Sequence, residues 1–174
     1  MSFWWLNPGH ALHGVPDPGA VAADGTREAD VVAVIAAAVA AGLRARGEQV
    51  TVRQDDDLAA VVAAANAAGA NRFLSIHANA AATPEAHGAE VFIHPQAAAP
   101  TRLWAERIVR CGSERGRYFR HDNTLYRTAN FAVLRETVMP AVLVETGFLT
   151  NDVERAWLKT DAAAWWTDVI LASY

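Results

Sequence analysis

Six short, nearly uninterrupted apolar runs punctuate the chain, and helical stretches separate most of them. The runs lie at Phe3–Leu6, Val50–Arg53, Phe73–His77, Ala89–His94, Phe131–Leu134 and Ala141–Glu145. The helical stretches lie near 28–46, 57–68, 99–113 and 152–172. A strand that is apolar on both faces needs cover on both faces, which helical crossovers supply. The alternation therefore predicts an α/β domain with a mostly parallel sheet and helices on both sides. The first helix carries Val32, Ile35, Val39 and Leu43 on one stripe, and Gly47 follows as its stop.

At 174 residues the chain suits a single domain spanning 1–174, with no repeat, linker or separate wall-binding module in view. An apolar fraction of 52% against 20% charged describes a globular chain with a sizeable core. Much of that apolar content is Ala, which suits helices packed closely on a sheet. The net charge of −4 provides no basic field, so no nucleic-acid partner is expected. The single cysteine, Cys111, has no internal disulfide partner and reads as a small core residue. The opening MSFWWLNPGH has too short an apolar run for a secretory signal or a membrane span. No membrane association and a monomeric state are expected.

The polar residues are informative by position. His10 follows the first strand across the turn Asn7-Pro8-Gly9, His77 closes the third strand, and Glu145 closes the last. Ligands of open α/β sheets bind beyond the carboxyl ends of the strands, so these three residues share an edge. Glu28 opens the first long helix, which starts on that same edge. It precedes Val32 by four residues and so points along the buried stripe.

Two imidazoles and a carboxylate make a catalytic zinc set, and a fourth residue, Glu145, is left to move protons. Each residue also has a structural reading. Glu28 suits the first turn of a helix, His10 suits a turn, and His77 suits a strand end. Glu145 is harder to dismiss, because a carboxylate ending an apolar strand costs free energy unless it is paired or functional. Its apolar neighbours Leu143 and Phe148 are expected to raise its pKa.

At these residues the chain resembles the zinc-dependent N-acetylmuramoyl-L-alanine amidases of the amidase_3 type. The resemblance is carried by Asn7-Pro8-Gly9-His10, by Asp17-Pro18-Gly19-Ala20, by Glu28, by Ser75-Ile76-His77-Ala78-Asn79, and by the segment from Pro140 through Phe148 to Asn151. Ala65-Asn66 also fits, and the match runs from residue 3 to about 160. The resemblance implies a mixed, mostly parallel six-stranded sheet flanked by helices on both faces. It implies Zn2+ held by His10, Glu28 and His77, with Glu145 as the catalytic carboxylate. The implied reaction is hydrolysis of the amide between the lactyl group of N-acetylmuramic acid and L-alanine of the peptidoglycan stem. The implied place of action is the bacterial cell wall.

Two departures stand out. Asn7 replaces the family's usual Asp, which is expected to weaken a contact that orients a ligand. Ala11-Leu12-His13-Gly14 replaces a Gly-Gly turn, which makes His13 a local competitor to His10.

His87, His94 and His121 read as structural or surface residues. Trp104, Trp157, Trp165 and Trp166 fall in helical stretches and read as core. Arg115, Arg117, Arg120 and Arg127, with Tyr118, Phe119 and Tyr126 between them, read as a solvated loop or as a groove wall against an anionic stem peptide. Two other functions are compatible with the residues: a zinc peptidase or amidohydrolase on another amide, and an inactive wall-binding module. The wider role is open between a phage lysin, a sporulation or lysis enzyme, and an excised catalytic domain.

Overall fold

The structure is a computed structural model, and it describes residues 1–122 and 124–174. Among them are strands β1 (Phe3–Pro8), β2 (Gln49–Val52), β3 (Arg72–Asn79), β4 (Glu90–Ile93), β5 (Arg127–Thr128) and β6 (Ala141–Phe148). The helices are α1 (Glu28–Ala45), α2 (Leu58–Ala67), α3 (Ala99–Glu114), α4 (Ala132–Arg135), α5 (Asp152–Thr160) and α6 (Ala162–Ala172). The sheet order is β2-β1-β3-β6-β4-β5. Strands β2, β1, β3 and β6 run parallel, and β4 runs against β6 with β5 beside it. This is the mixed, mostly parallel six-stranded sheet that the family resemblance implies.

One face of the sheet is covered by α1, α3 and α6. Val32, Ile35, Val39 and Leu43 of α1 are all buried there, so the stripe read from the sequence is the packing stripe. Burying each such side chain contributes about 1.5–3 kcal/mol. Helix α1 ends as its sequence foretold: Gly47 N–H donates to Arg44 O and Glu48 N–H to Leu43 O, closing a Schellman motif. The small side chains let α1 approach α6 closely. A Cβ at Gly42 would lie 2.6 Å from Thr167 Cγ2. Trp104 and Trp166 are buried here, and Trp157 and Trp165 pack against the same cluster.

The other face is covered by α2 and α4 over Trp5, Phe73 and Leu143. Helix α2 is started by Asp57, whose side chain accepts from Ala60 N–H at 2.9 Å. This cover is short, and the C-terminal end of the sheet emerges beyond it. No helix among the described residues is long and apolar enough to cross a membrane.

Three elements differ from the sequence reading. Phe131–Leu134 is not a strand. Phe131 caps α4, and its carbonyl accepts from Leu134 and Arg135 N–H. A four-residue apolar run carries too little periodicity to separate one helical turn from a strand. The remaining strand is β5, two residues whose backbone pairs with β4 at Phe92 and Ile93 and whose side chains carry no apolar signal. The stretch 152–172 is also two helices. Thr160 Oγ1 bonds Ala156 O and Asp161 Oδ2, and α5 ends at this junction. Such local side-chain bonds compete with helix propagation.

Candidate metal centre

Strand β1 ends at Pro8, and Gly9 N–H donates to Ile76 O at 2.9 Å, tying the turn to β3. His10 then sits at φ 68°, in the left-handed region that non-glycine residues rarely occupy. Backbone strain of this kind gathers at functional sites. The His10 ring is held from both sides: Nδ1 lies 2.7 Å from Asp17 Oδ2 and Nε2 lies 2.9 Å from Glu28 Oε2. Asp17 Oδ1 in turn accepts from Gly19 N–H at 2.9 Å.

Glu28 is the first residue of α1, and its carboxylate is buried between two strand ends. Oε2 accepts from Ala20 N–H and Oε1 from Ala78 N–H, both at 3.0 Å. Oε1 also lies 3.0 Å from His77 Nδ1. The donor atoms of His10, Glu28 and His77 all fall within 4.8 Å of one another. His13 is exposed and outside this group.

Two glycines of the sequence motifs make room for the rings. A Cβ on Gly9 would lie 2.2 Å from His77 Cε1. A Cβ on Gly19, itself at φ 68°, would lie 2.5 Å from His10 Cδ2 and 2.7 Å from Glu28 Oε2. A side chain at either position would force these groups to move.

The electrostatics suit cation binding. Burial opposes the charge on Glu28, yet hydrogen bonds with His10 and His77 hold its carboxyl well below the usual range. The hydrogen bond with Glu28 outweighs burial at His10, and with help from Asp17 it raises the imidazolium pKa from 6.5 to about 9. Two imidazoles and one ionised carboxylate facing a common point are the donor set zinc takes in catalytic sites, so the residues fit that metal. The Asp17–His10 contact is the carboxylate partner that fixes the tautomer and orientation of a ligating histidine.

Glu145 stands beside this group. It pairs in register with His77 of β3 and, on its other side, with Glu90 of β4. Strand β6 continues to Phe148, three residues past the position at which the sequence placed its end. Glu145 Oε2 is shielded and has no hydrogen-bond partner among the described residues. Burial pushes the Glu145 pKa well up, and the charges of Glu28 and Glu90 add to the rise. A hollow of about 240 Å³ opens in front of Glu145 and His77, walled by Leu58, Phe131 and Val133.

The sequence reading passed over several residues. Asp17 belongs to the Asp17-Pro18-Gly19-Ala20 motif, but its role emerges only from its contact with His10. Gln54 donates to Gly9 O and Ala29 O, bridging the His10 turn to α1. No residue pattern marked it. Glu90 was unmarked because β4 was read only as an apolar run. Asn7, expected to weaken a contact that orients a ligand, makes no hydrogen bond to the donor residues among the described residues. Its Nδ2 donates to Arg53 O at 3.1 Å and Pro8 O at 3.3 Å, and its Oδ1 accepts from Ser75 Oγ. An amide satisfies two carbonyls there, as a carboxylate cannot. His87 and His121 are exposed and His94 is half-buried, all outside the donor group. Cys111 packs partly buried against the core.

Residues 5–166 match the Amidase_3 family, described as N-acetylmuramoyl-L-alanine amidase. The chain is 37% identical over 170 residues to the N-acetylmuramoyl-L-alanine amidase CwlM of Bacillus licheniformis, covering 91% of this chain and 61% of the relative. It is 35% identical over 164 residues to the sporulation-specific N-acetylmuramoyl-L-alanine amidase of Bacillus subtilis, with 91% and 60% covered. The chain therefore spans about 60% of the length of these curated relatives. In three dimensions it matches the crystal structure of an N-acetylmuramoyl-L-alanine amidase from Clostridium difficile. The TM-score is 0.87 at 28% identity, and 98% of this chain and 92% of that one are covered. Family match, sequence identity and shared architecture agree, and the chain belongs to the Amidase_3 family of N-acetylmuramoyl-L-alanine amidases.

Proposed function

We propose that this chain is a single catalytic domain that hydrolyses the amide between the lactyl group of N-acetylmuramic acid and L-alanine of the peptidoglycan stem, acting at the cell wall. The observation that carries the reading is the juxtaposition of the His10–Glu28–His77 donor group with Glu145, one strand away, whose Oε2 has no hydrogen-bond partner among the described residues.

In this reading His10, Glu28 and His77 hold a zinc ion. When bound, zinc acts as a Lewis acid that acidifies water and polarises an amide carbonyl. The rest falls to the side chains. Asp17 keeps the Nδ1 proton on His10, which leaves Nε2 free to ligate. Ala20 and Ala78 N–H groups hold the Glu28 carboxylate ionised and fixed. Glu145 takes the proton of the attacking water and returns it to the departing L-alanine nitrogen, since an amide anion is a poor leaving group. Such proton transfer is worth about 10²–10⁴-fold in rate.

Mass spectrometry of fragments released from purified peptidoglycan tests the reaction. Stem peptides with a free L-alanine amino terminus are expected. Release of only new reducing sugar ends, or of only cleaved crosslinks, would falsify the assignment. His77→Ala is expected to lose both metal and activity. Full zinc occupancy in that variant counts against the ligand set.

A further inference from the structure

The four arginines between 115 and 127 serve different ends. Arg117 turns inward, donating to Glu154 at 2.6 Å and lying 4.0 Å over the Trp157 ring. Arg115 bonds Cys111 O at the end of α3. Arg120 and Arg127 instead converge on Glu90. That carboxylate is buried to 4% exposure; it accepts from Asn79 Nδ2 at 2.7 Å and Arg127 Nη1 at 2.6 Å, with Arg120 Nε 3.4 Å from its Oε1.

Arg127 spends its Nη1 on Glu90, and its Nε, shielded without a hydrogen-bond partner among the described residues, lies 3.7 Å from the exposed carboxylate of Asp122. The Arg120 guanidinium makes no hydrogen bond among the described residues, and its Nε is shielded without a partner. Its side chain stays 42% exposed. It is nonetheless held in place: its backbone N–H donates to Ala89 O at 2.8 Å, and its guanidinium lies 5.3 Å over the Phe148 ring. A fixed guanidinium with unspent donors is a receptor for a carboxylate.

Its position relative to Glu145 indicates which carboxylate. Strand β4 runs against β6, so its first residue, Glu90, lies directly opposite Glu145. Opposed side chains of this kind start about 4.5–5.5 Å apart. The Arg120 guanidinium therefore stands one strand and one ion-pair length from the proton-transferring group. From the scissile amide nitrogen, two residues of extended chain reach about 7 Å. We propose that Arg120 binds the free α-carboxylate of the second stem residue, a D-glutamate joined onward through its γ-carboxyl. The proposal rests on the amidase reading above and deepens it to a substrate preference.

The test uses two soluble substrates, N-acetylmuramoyl-L-alanyl-D-isoglutamate and its α-amide, the D-isoglutamine form. The wild-type protein is expected to cleave the acid with the higher kcat/KM. Arg120→Ala should lower kcat/KM on the acid by on the order of 10–100-fold, as loss of a charge-assisted hydrogen bond does. On the amide the same variant should stay within about threefold of wild type, which also shows that it folds. Equal losses on both substrates, or no loss on the acid, overturn the proposal. Equal cleavage of acid and amide by the wild type overturns the carboxylate contact alone, whereas cleavage of neither overturns the amidase reading together with it.

Discussion

At the residue scale, the donor group rests on atoms that are absent as much as on those present. Gly9 leaves the space that the His77 ring fills, so Gly9→Ala is expected to displace that ring. Zinc affinity should fall by about 10–100-fold, the range seen when support of a ligand is lost, and competition with a chromogenic chelator measures it. An unchanged affinity would mean that His77 is not a ligand. Glu145 has the opposite character: its Oε2 has no hydrogen-bond partner among the described residues, and it lies beside the group rather than in it. Glu145→Gln should retain zinc and fold while losing about 10²–10⁴-fold in turnover. A variant that loses its metal would instead place Glu145 among the ligands. His10 links the site to pH. Without metal its pKa is raised to about 9 by Glu28, so the charged pair stabilises the metal-free protein fully below pH 6.5 and less as pH rises through 9. Metal uptake near pH 7 must then expel the proton from His10. Calorimetric titration of the metal-free protein with zinc, in buffers of different ionisation enthalpy, should report that release. A heat independent of the buffer would show that His10 is already neutral or is not a ligand.

At the scale of elements, the helices with strong periodicity were legible and the short ones were not. Helix α1 announces itself through a four-residue stripe and a glycine stop, and it packs as that pattern requires. The turn α4 and the strand β5 are fixed by contacts with α2 and β4, which no local window of sequence contains. The break between α5 and α6 has a local part, the Thr160 side-chain bonds, and a tertiary one, since α5 packs on β6 and α6 on α1. The closeness of α1 and α6 is a testable property of the pair. Gly42→Val places two methyl groups where a Cβ already meets Thr167 at 2.6 Å. Overpacking of this kind costs about 1–3 kcal/mol, to be read from chemical denaturation at unchanged m-value. No destabilisation would show that the two helices separate readily.

At the scale of the whole molecule, the candidate site draws on the C-terminal parts of three strands and one helix start, so a metal held there would be coupled to the fold. A ligand that binds only the folded state stabilises it, by about 2.7 kcal/mol at a hundredfold excess over Kd. In a chain of this size chelation should therefore lower Tm by roughly 5–10 °C. A melting curve indifferent to chelator would argue against a resident metal.

The sequence by itself determined the fold class and pointed to the edge of the sheet on which the candidate site lies. Apolar runs must be covered, crossovers have one hand, and a polar residue ending an apolar strand therefore has one place to go. It also carried the family motifs, and with them His10, Glu28, His77 and Glu145. Only the tertiary structure decided the rest. It gave Asp17 to His10, and it gave Asn7 to Arg53 and Pro8 rather than to a ligand. By turning β4 antiparallel, it set Glu90 opposite Glu145, with Arg120 against Glu90. Those relations join residues far apart in the chain. They depend on strand order, register and direction, which hydrophobic periodicity constrains only through burial and does not encode pair by pair.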